Sequence, residues 1–197
     1  YFLKQQTYWT VVGVPSDTRE ALFGEDGAIE VDKQKFSIEP FIILDEGNRV
    51  LHWANGNITQ SLEENYIPIP TVLRTYNTVE LRTTILASGD PERSSIMARY
   101  VVKNISDKNQ KGSLYLTLRP FQVNPTSQWL NFDGGFAKTS KMSFSANRAV
   151  VDEKTVIVSG TPIASGASTI EQGDITDFIA KNSIPISYNA KQSNGMT

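Results

Sequence analysis

The sequence has no cysteine and a single histidine, and both shortages narrow the chemistry that the chain can perform. Without cysteine there are no disulfides, no thiolate nucleophile, no iron–sulfur cluster and no cysteine-ligated zinc. His52 has no second histidine at metal-ligand spacing, and the sequence lacks the G-x-S-x-G turn of a serine triad. We therefore predict neither a metal site nor a bound cofactor, and expect His52 to lie in a strand with local hydrogen bonds.

An excess of one charge and long apolar runs are also missing. The 197 residues include 19 basic and 21 acidic side chains, which gives a formal charge of −2, and the pI is near 5.5. This balance excludes a broad cationic face for nucleic acid or anionic lipid. No run approaches the ~18 consecutive apolar residues that a bilayer-spanning helix needs. We expect neither a nucleic-acid partner nor a membrane partner.

Alternating apolar residues predict strands along most of the chain. The alternation is clearest from Val79 to Ala87, and it recurs over 96–104 and over 113–119. The polar stretch 106–112 between the latter two segments has turn composition, so we expect them to form an antiparallel hairpin. Asp45-Glu46-Gly47-Asn48 predicts a second hairpin. Many short strands joined by Gly, Pro and Asn clusters indicate an all-β chain, a large antiparallel β-sandwich in one domain, 1–197.

Helix signals are few, and we predict one or two short helices. Asp174 is placed to cap a helix from Ile175 to Ala180, with Phe178 and Ile179 facing inward. Thr18–Phe23 could form one helical turn. The residues 189–197 contain no clear closing strand, so the sheet is expected to be unfinished at that end.

Tryptophans beside polar groups form the first candidate site. Trp53 follows His52, and Trp129 lies in a long polar loop with Asn131 and Asp133. Sugar rings stack on exposed indoles while their hydroxyls bind amides and carboxylates. The same composition suits an aromatic surface that docks on another domain. Both interpretations stay open.

Carboxylate pairs form the second candidate site, because a glycosidase needs two carboxylates at about 5–10 Å. Glu39 with Glu63 or Glu64 is the pair we consider, and Glu25 and Asp26 are further candidates. The alternative for each is a solvated or capping carboxylate. A small glycosidase built on Glu39 is therefore one of the functions to test.

Several phrases of the sequence resemble large exported bacterial glycosidase-like proteins, relatives of the glycogen-debranching and sugar-phosphorylase group. In that group a β-supersandwich of the galactose-mutarotase-like fold precedes an α/α six-hairpin barrel. The phrases that carry the resemblance are 8–14 (YWTVVGV), 36–41 (FSIEPF), 61–62 (SL), 66–70 (YIPIP), 99–104, 118–125 (LRPFQVNP) and 172–175 (QGDI).

The resemblance implies a supersandwich-like, non-catalytic domain, since catalytic carboxylates in such enzymes lie in the helical barrel. It implies that 1–197 is the incomplete N-terminal part of a longer exported protein, periplasmic or extracellular, and packs against its helical catalytic domain. The stretch 122–135 is the first candidate for that contact and could contribute to the substrate cleft. An aldose epimerase of this fold uses several histidines, and His52 alone departs from that pattern. The alternative function is an autonomous carbohydrate-binding module that holds an oligosaccharide on Trp53 and Trp129.

Overall fold

The computed structural model describes residues 8–33, 35–123, 135–160, 164–184 and 189–191. These residues form fourteen strands, one α-helix and two single-turn 3₁₀ helices. The elements are β1 Trp9–Val12, β2 Ala21–Gly24, β3 Ile29–Glu30, β4 Ser37–Leu44, β5 Arg49–Leu51, β6 Asn57–Glu63, β7 Ile67–Thr75, β8 Val79–Ser88, β9 Ser95–Asn104, β10 Gly112–Arg119, β11 Lys141–Ser145, β12 Arg148–Val151, β13 Thr155–Val158, α1 Ile175–Ala180 and β14 Asn189–Lys191, with the 3₁₀ helices at Glu46–Asn48 and Trp53–Asn55.

Three antiparallel sheets account for these strands, so the all-β prediction is confirmed. Sheet A has the order β1-β2-β3-β4-β10, and β5 also pairs with β4. Sheet B is the meander β6-β7-β8-β9, and sheet C has the order β13-β12-β11-β14. Within this part of the chain, no helix has the length and apolarity needed to cross a membrane.

The predicted alternation is visible in β8. Val79, Leu81 and Ile85 are buried, whereas Arg82 on the other face is exposed. β9 pairs with β8 over its full length and places Tyr100 opposite Thr83, on the inner face of sheet B. A strand with one buried face gives this period-2 pattern because successive side chains point to opposite faces.

Sheets B and C pack against the same face of sheet A. Ile42 of β4 belongs to a cluster with Leu81 of sheet B. Ile38, four residues earlier and therefore on the same face, packs against the cluster that contains Met142 of sheet C. The described chain is thus a sandwich in which one layer is sheet A and the other consists of two separate sheets.

The helix α1 covers the opposite face of sheet A. Ile43 of β4 packs there against Ile175 and Ile179. The Asp174 carboxylate accepts the Thr176 N–H at 2.9 Å, which caps the first turn as predicted. Ile179 is fully buried, and Phe178 is half-buried. The helix predicted from Asp174 is therefore confirmed in position and in orientation.

The predicted hairpin between 96–104 and 113–119 is wrong. β9 pairs with β8 in sheet B, whereas β10 pairs with β4 in sheet A. The polar segment 105–111 therefore crosses from one layer to the other. Its ends are held by backbone bonds of 2.9 Å, from Ile105 N–H to the Thr78 carbonyl and from Asp45 N–H to the Lys111 carbonyl. By contrast, β4 and β5 do pair around Asp45–Asn48, as predicted.

Two smaller expectations are also wrong. Thr18–Phe23 is not a helical turn, because Ala21 and Phe23 are alternate buried residues of β2 and pack in the core. The last part of the chain does contribute a strand: Asn189–Lys191 pairs with β11. Both errors concern short segments whose structure depends on pairing with distant strands.

Candidate functional site

His52 and Trp53 lie in a 3₁₀ turn directly after β5 rather than in a strand. The His52 Nδ1 accepts the Ala54 N–H at 3.3 Å, and the Asn55 side-chain oxygen accepts the His52 N–H at 2.9 Å. These bonds are local, as expected. Trp53 is 36% exposed, and its ring meets the imidazole edge-on at 6.4 Å between centroids. The turn therefore presents one half-covered indole to solvent.

Tyr76, a buried core residue, holds this turn against the core. Its hydroxyl donates to the His52 carbonyl at 3.1 Å. Gly56 ends the turn, and a Cβ added there would lie 2.6 Å from Tyr76 Cε1. Only glycine permits so close an approach, so the Trp53 turn is fixed against the core.

Trp129, Asn131 and Asp133 lie outside the described residues, and their prediction stays a prediction. The flanks of that stretch lie side by side, because Phe121 and Phe136 form an isolated bridge with their rings edge-on at 6.3 Å. The Val123 N–H also donates to the buried Glu30 carboxylate at 2.9 Å. Both flanks are thus attached to the α1 face of sheet A.

Three charged side chains form an ion network on that face. Arg119 of β10 donates from Nη1 to Glu39 Oε2 at 3.0 Å and from Nη2 to Asp174 Oδ2 at 2.7 Å. The Glu39 side chain is only 2% exposed, and the Arg119 side chain is 13% exposed. The guanidinium also lies 4.5 Å from the centre of the Phe121 ring. This network connects β4, β10 and the N-terminus of α1.

The pKa values of the two carboxyl groups in the network are shifted in opposite directions. Burial raises the pKa of Glu39 above its usual range, although Arg119 favours the carboxylate. Partial burial opposes ionisation of Asp174 too, but the Thr176 N–H and the Arg119 charge outweigh it and lower the pKa of Asp174. As the pH falls, Glu39 therefore takes up a proton before Asp174 does.

The structure does not bring Glu39 together with Glu63 or Glu64, whereas the Asp26 charge is near enough to raise the pKa of Glu39. Glu39 faces α1 on sheet A, whereas Glu63 and Glu64 are exposed at the end of β6 in sheet B. Glu39 is also enclosed and bonded to Arg119 and Ser37. Through Arg119, the enclosed Glu39 carboxylate helps to hold β4, β10 and the start of α1 together.

Two arginines of the structure, the buried Arg74 and the mostly buried Arg119, were not predicted from the sequence. Arg74 of β7 is 2% exposed, and its guanidinium reaches the backbone of sheet A. A signal for Arg74 existed, because it directly follows Ile67–Leu73, a segment in which Thr71 is the one polar residue. For Arg119, the alternation of β10 indicated only that its side chain lies on the face opposite Leu116 and Leu118. The structure shows that α1 covers that face.

The strands β9 and β10 carry apolar side chains that face the space between the sheets and are nevertheless exposed to solvent. Val102 of β9 lies opposite the buried Leu81 and is 43% exposed. Leu114 of β10 lies opposite the buried Ile42, and Leu114 and Leu116 are each 37% exposed. Among the described strands, β9 and β10 each have a neighbour on one side only. We call these three side chains, Val102 on sheet B and Leu114 and Leu116 on sheet A, the open edge.

A mostly apolar cavity of about 160 Å³ adjoins the open edge. Leu116 and Leu118 line it from β10, and Phe144 and Ile157 line it from sheet C. Apolar cavities of about 150 Å³ hold a benzene-sized group. The open edge therefore combines exposed apolar side chains with room for one bulky side chain from outside.

Because His52 is partly buried, lowering the pH is expected to destabilise wild type more than a variant without this histidine. Burial and the nearby Arg74 charge lower the pKa of His52. A histidine with a lowered pKa contributes stability above its ordinary pKa of about 6.5, and the contribution is lost as the pH falls. Wild type should therefore lose more stability than His52→Asn between pH 7 and pH 5, by less than about 1 kcal/mol. Asparagine keeps a capping acceptor but does not titrate.

Urea unfolding followed by tryptophan fluorescence at several pH values measures this difference. Equal acid sensitivity of the two proteins would contradict the role assigned to His52.

A comparison with protein families, curated proteins and solved structures finds no match for this chain. Among the described residues, no group of three or more His, Asp or Glu side chains is placed to hold a metal ion.

Proposed function

We propose that the chain is a non-catalytic β-sandwich domain of a larger, exported bacterial carbohydrate-active enzyme. In this proposal it packs against a helical catalytic domain of the same parent protein. The open edge carries the docking part of the proposal: Val102, Leu114 and Leu116 lie on the inner faces of their sheets yet remain exposed. Covering such side chains with another domain removes apolar surface from water and is favourable.

The cavity beside Leu116 explains how such docking would be made specific. A leucine or aromatic side chain on the surface of the helical domain would fill it as an anchor, surrounded by weaker contacts. The enclosure of Glu39 in its bonds to Arg119 and Ser37 supports the non-catalytic part of the proposal.

The helical domain encoded in the same reading frame, produced separately, should bind this chain in a calorimetric titration. Leu116→Asp should weaken that binding at least about tenfold, because the new carboxylate would have to be desolvated in the interface. Leu62→Asp is the matched control, since Leu62 is 40% exposed on β6 and lies outside the open edge. A reading frame without a helical domain, or equal weakening by both variants, would refute the proposal.

The same chain tests the alternative of a carbohydrate-binding module. Titration with neutral oligosaccharides from starch, cellulose and xylan, followed by tryptophan fluorescence, should give no saturable change. Saturable quenching that is lost in Trp53→Ala would favour the module instead, because stacking on the exposed indole would then carry the affinity.

A further inference from the structure

A groove of about 690 Å³ separates sheet B from sheet C on the surface of sheet A. Ile29 and Ile38 of sheet A lie along its floor. One wall is the first half of β9, including Ile96 and Ala98, and the other wall is β13. The volume lies within the range of about 300–1,000 Å³ that is usual for ligand clefts.

Both walls of the groove are strand edges. Among the described strands, β9 pairs only with β8, and β13 pairs only with β12. An unpaired edge presents alternating N–H and C=O groups that bind another extended chain. A strand placed in the groove would find such groups on both sides and an apolar floor beneath its alternate side chains.

Some charged side chains along the groove are already in ion pairs, and others are not. Glu20 is already paired with Lys33 at 2.8 Å, and the Asp32 carboxylate accepts the Lys33 N–H at 2.8 Å. Arg99 on the β9 wall and Lys154 beside β13 are exposed, and neither forms an ion pair within the described part of the chain. Asp32 is in no ion pair within the described residues either, so the groove holds one unpaired anion against two unpaired cations, one on each wall, and this excess of positive charge favours an acidic occupant.

We propose that this groove binds one extended acidic segment of a partner polypeptide as an added β-strand between β9 and β13. Its apolar residues face Ile29 and Ile38, and its carboxylates lie near Arg99 and Lys154. The proposal does not depend on the docking of the open edge, since it uses different side chains and a different partner chemistry.

A capped nine-residue peptide of alternating valine and glutamate, labelled with a fluorophore, is the probe. Fluorescence anisotropy should show saturable binding to the isolated chain that weakens as salt is raised. Arg99→Glu and Lys154→Glu should each weaken binding about tenfold or more. Lys181→Glu, a charge reversal at an exposed residue after α1, should leave it unchanged.

Amide hydrogen exchange should locate the added strand. The peptide should slow exchange in Ser95–Tyr100 and Thr155–Val158, because amides at those edges gain hydrogen-bond partners. A valine–lysine peptide of the same length should bind at least about tenfold more weakly. Absence of saturable binding, equal affinity for the two peptides, protection elsewhere, or self-association of the chain that protects these same edges would overturn the proposal.

Discussion

Replacing Arg119 by methionine is expected to lower the free energy of unfolding by about 3–5 kcal/mol at pH 7. The substitution removes the cation that bonds Glu39 at 3.0 Å and Asp174 at 2.7 Å. The Glu39 carboxylate is then left buried without a counter-ion, which costs more than the ion pair itself contributes. Asp174 keeps its bond to the Thr176 N–H and is affected less.

The pH dependence distinguishes this explanation from a simple loss of packing. Burial already raises the pKa of Glu39, and loss of Arg119 raises it further. A carboxyl group whose pKa is raised in the folded state contributes stability at low pH and loses it as the pH rises. Arg119→Met should therefore regain stability relative to wild type as the pH falls from 7 to 5.

Urea unfolding of five proteins, the four of a double-mutant cycle and one control, completes the test. Adding Glu39→Gln to Arg119→Met removes the unpaired charge and should restore part of the lost stability, while Glu39→Gln alone completes the double-mutant cycle. Arg93→Met at an exposed turn is the control and should stay within about 0.5 kcal/mol of wild type. A loss below about 1 kcal/mol in Arg119→Met would show that the network contributes little.

Replacing Arg74 by methionine is expected to cost about 3 kcal/mol. Arg74 donates from Nη1 to the Pro40 carbonyl at 2.8 Å and from Nε to the Asp26 carbonyl at 2.6 Å. On the side of β4 away from β10, β3 pairs with Ser37–Ile38 and β5 with Ile42–Leu44. The guanidinium bonds to Pro40 in the gap between β3 and β5, so methionine would remove the bonds that Arg74 donates to the Pro40 carbonyl and to the part-buried Asp26 carbonyl.

The single histidine gives a direct readout of this charge. Because Arg74 helps to lower the pKa of His52, Arg74→Met should raise that pKa in an NMR titration. Arg74→Lys keeps the charge but not the two-pronged geometry, so it should lose stability while largely retaining the low histidine pKa. Arg82→Met on the exposed face of β8 should change neither quantity. An unchanged histidine pKa in Arg74→Met would contradict the placement of the guanidinium.

Prediction from sequence succeeded where the pattern is local. The alternation in β8, the hairpin at Asp45–Asn48 and the cap at Asp174 each depend on residues within a few positions of one another. The Trp53 turn was only half predicted: its local hydrogen bonds were expected, but its 3₁₀ geometry and its support from Tyr76 were not.

Prediction failed where a strand pairs with a strand far away in the sequence. A polar turn after β9 is equally compatible with a hairpin and with a crossover, and closing a long loop costs little more than closing a short one. In the structure β10 pairs with β4, about 75 residues earlier in the chain, where Leu114 and Leu116 lie opposite Ile42 and Pro40.

The sequence by itself determined that this chain folds from strands with one short capped helix, because apolar periodicity and capping residues act over a few positions. Only the tertiary structure decided that Glu39, Arg74 and Arg119 are interior, and that Val102, Leu114 and Leu116 remain uncovered. The physical reason is that burial depends on which sheets stack and which edges stay unpaired, and those contacts join residues far apart in the chain.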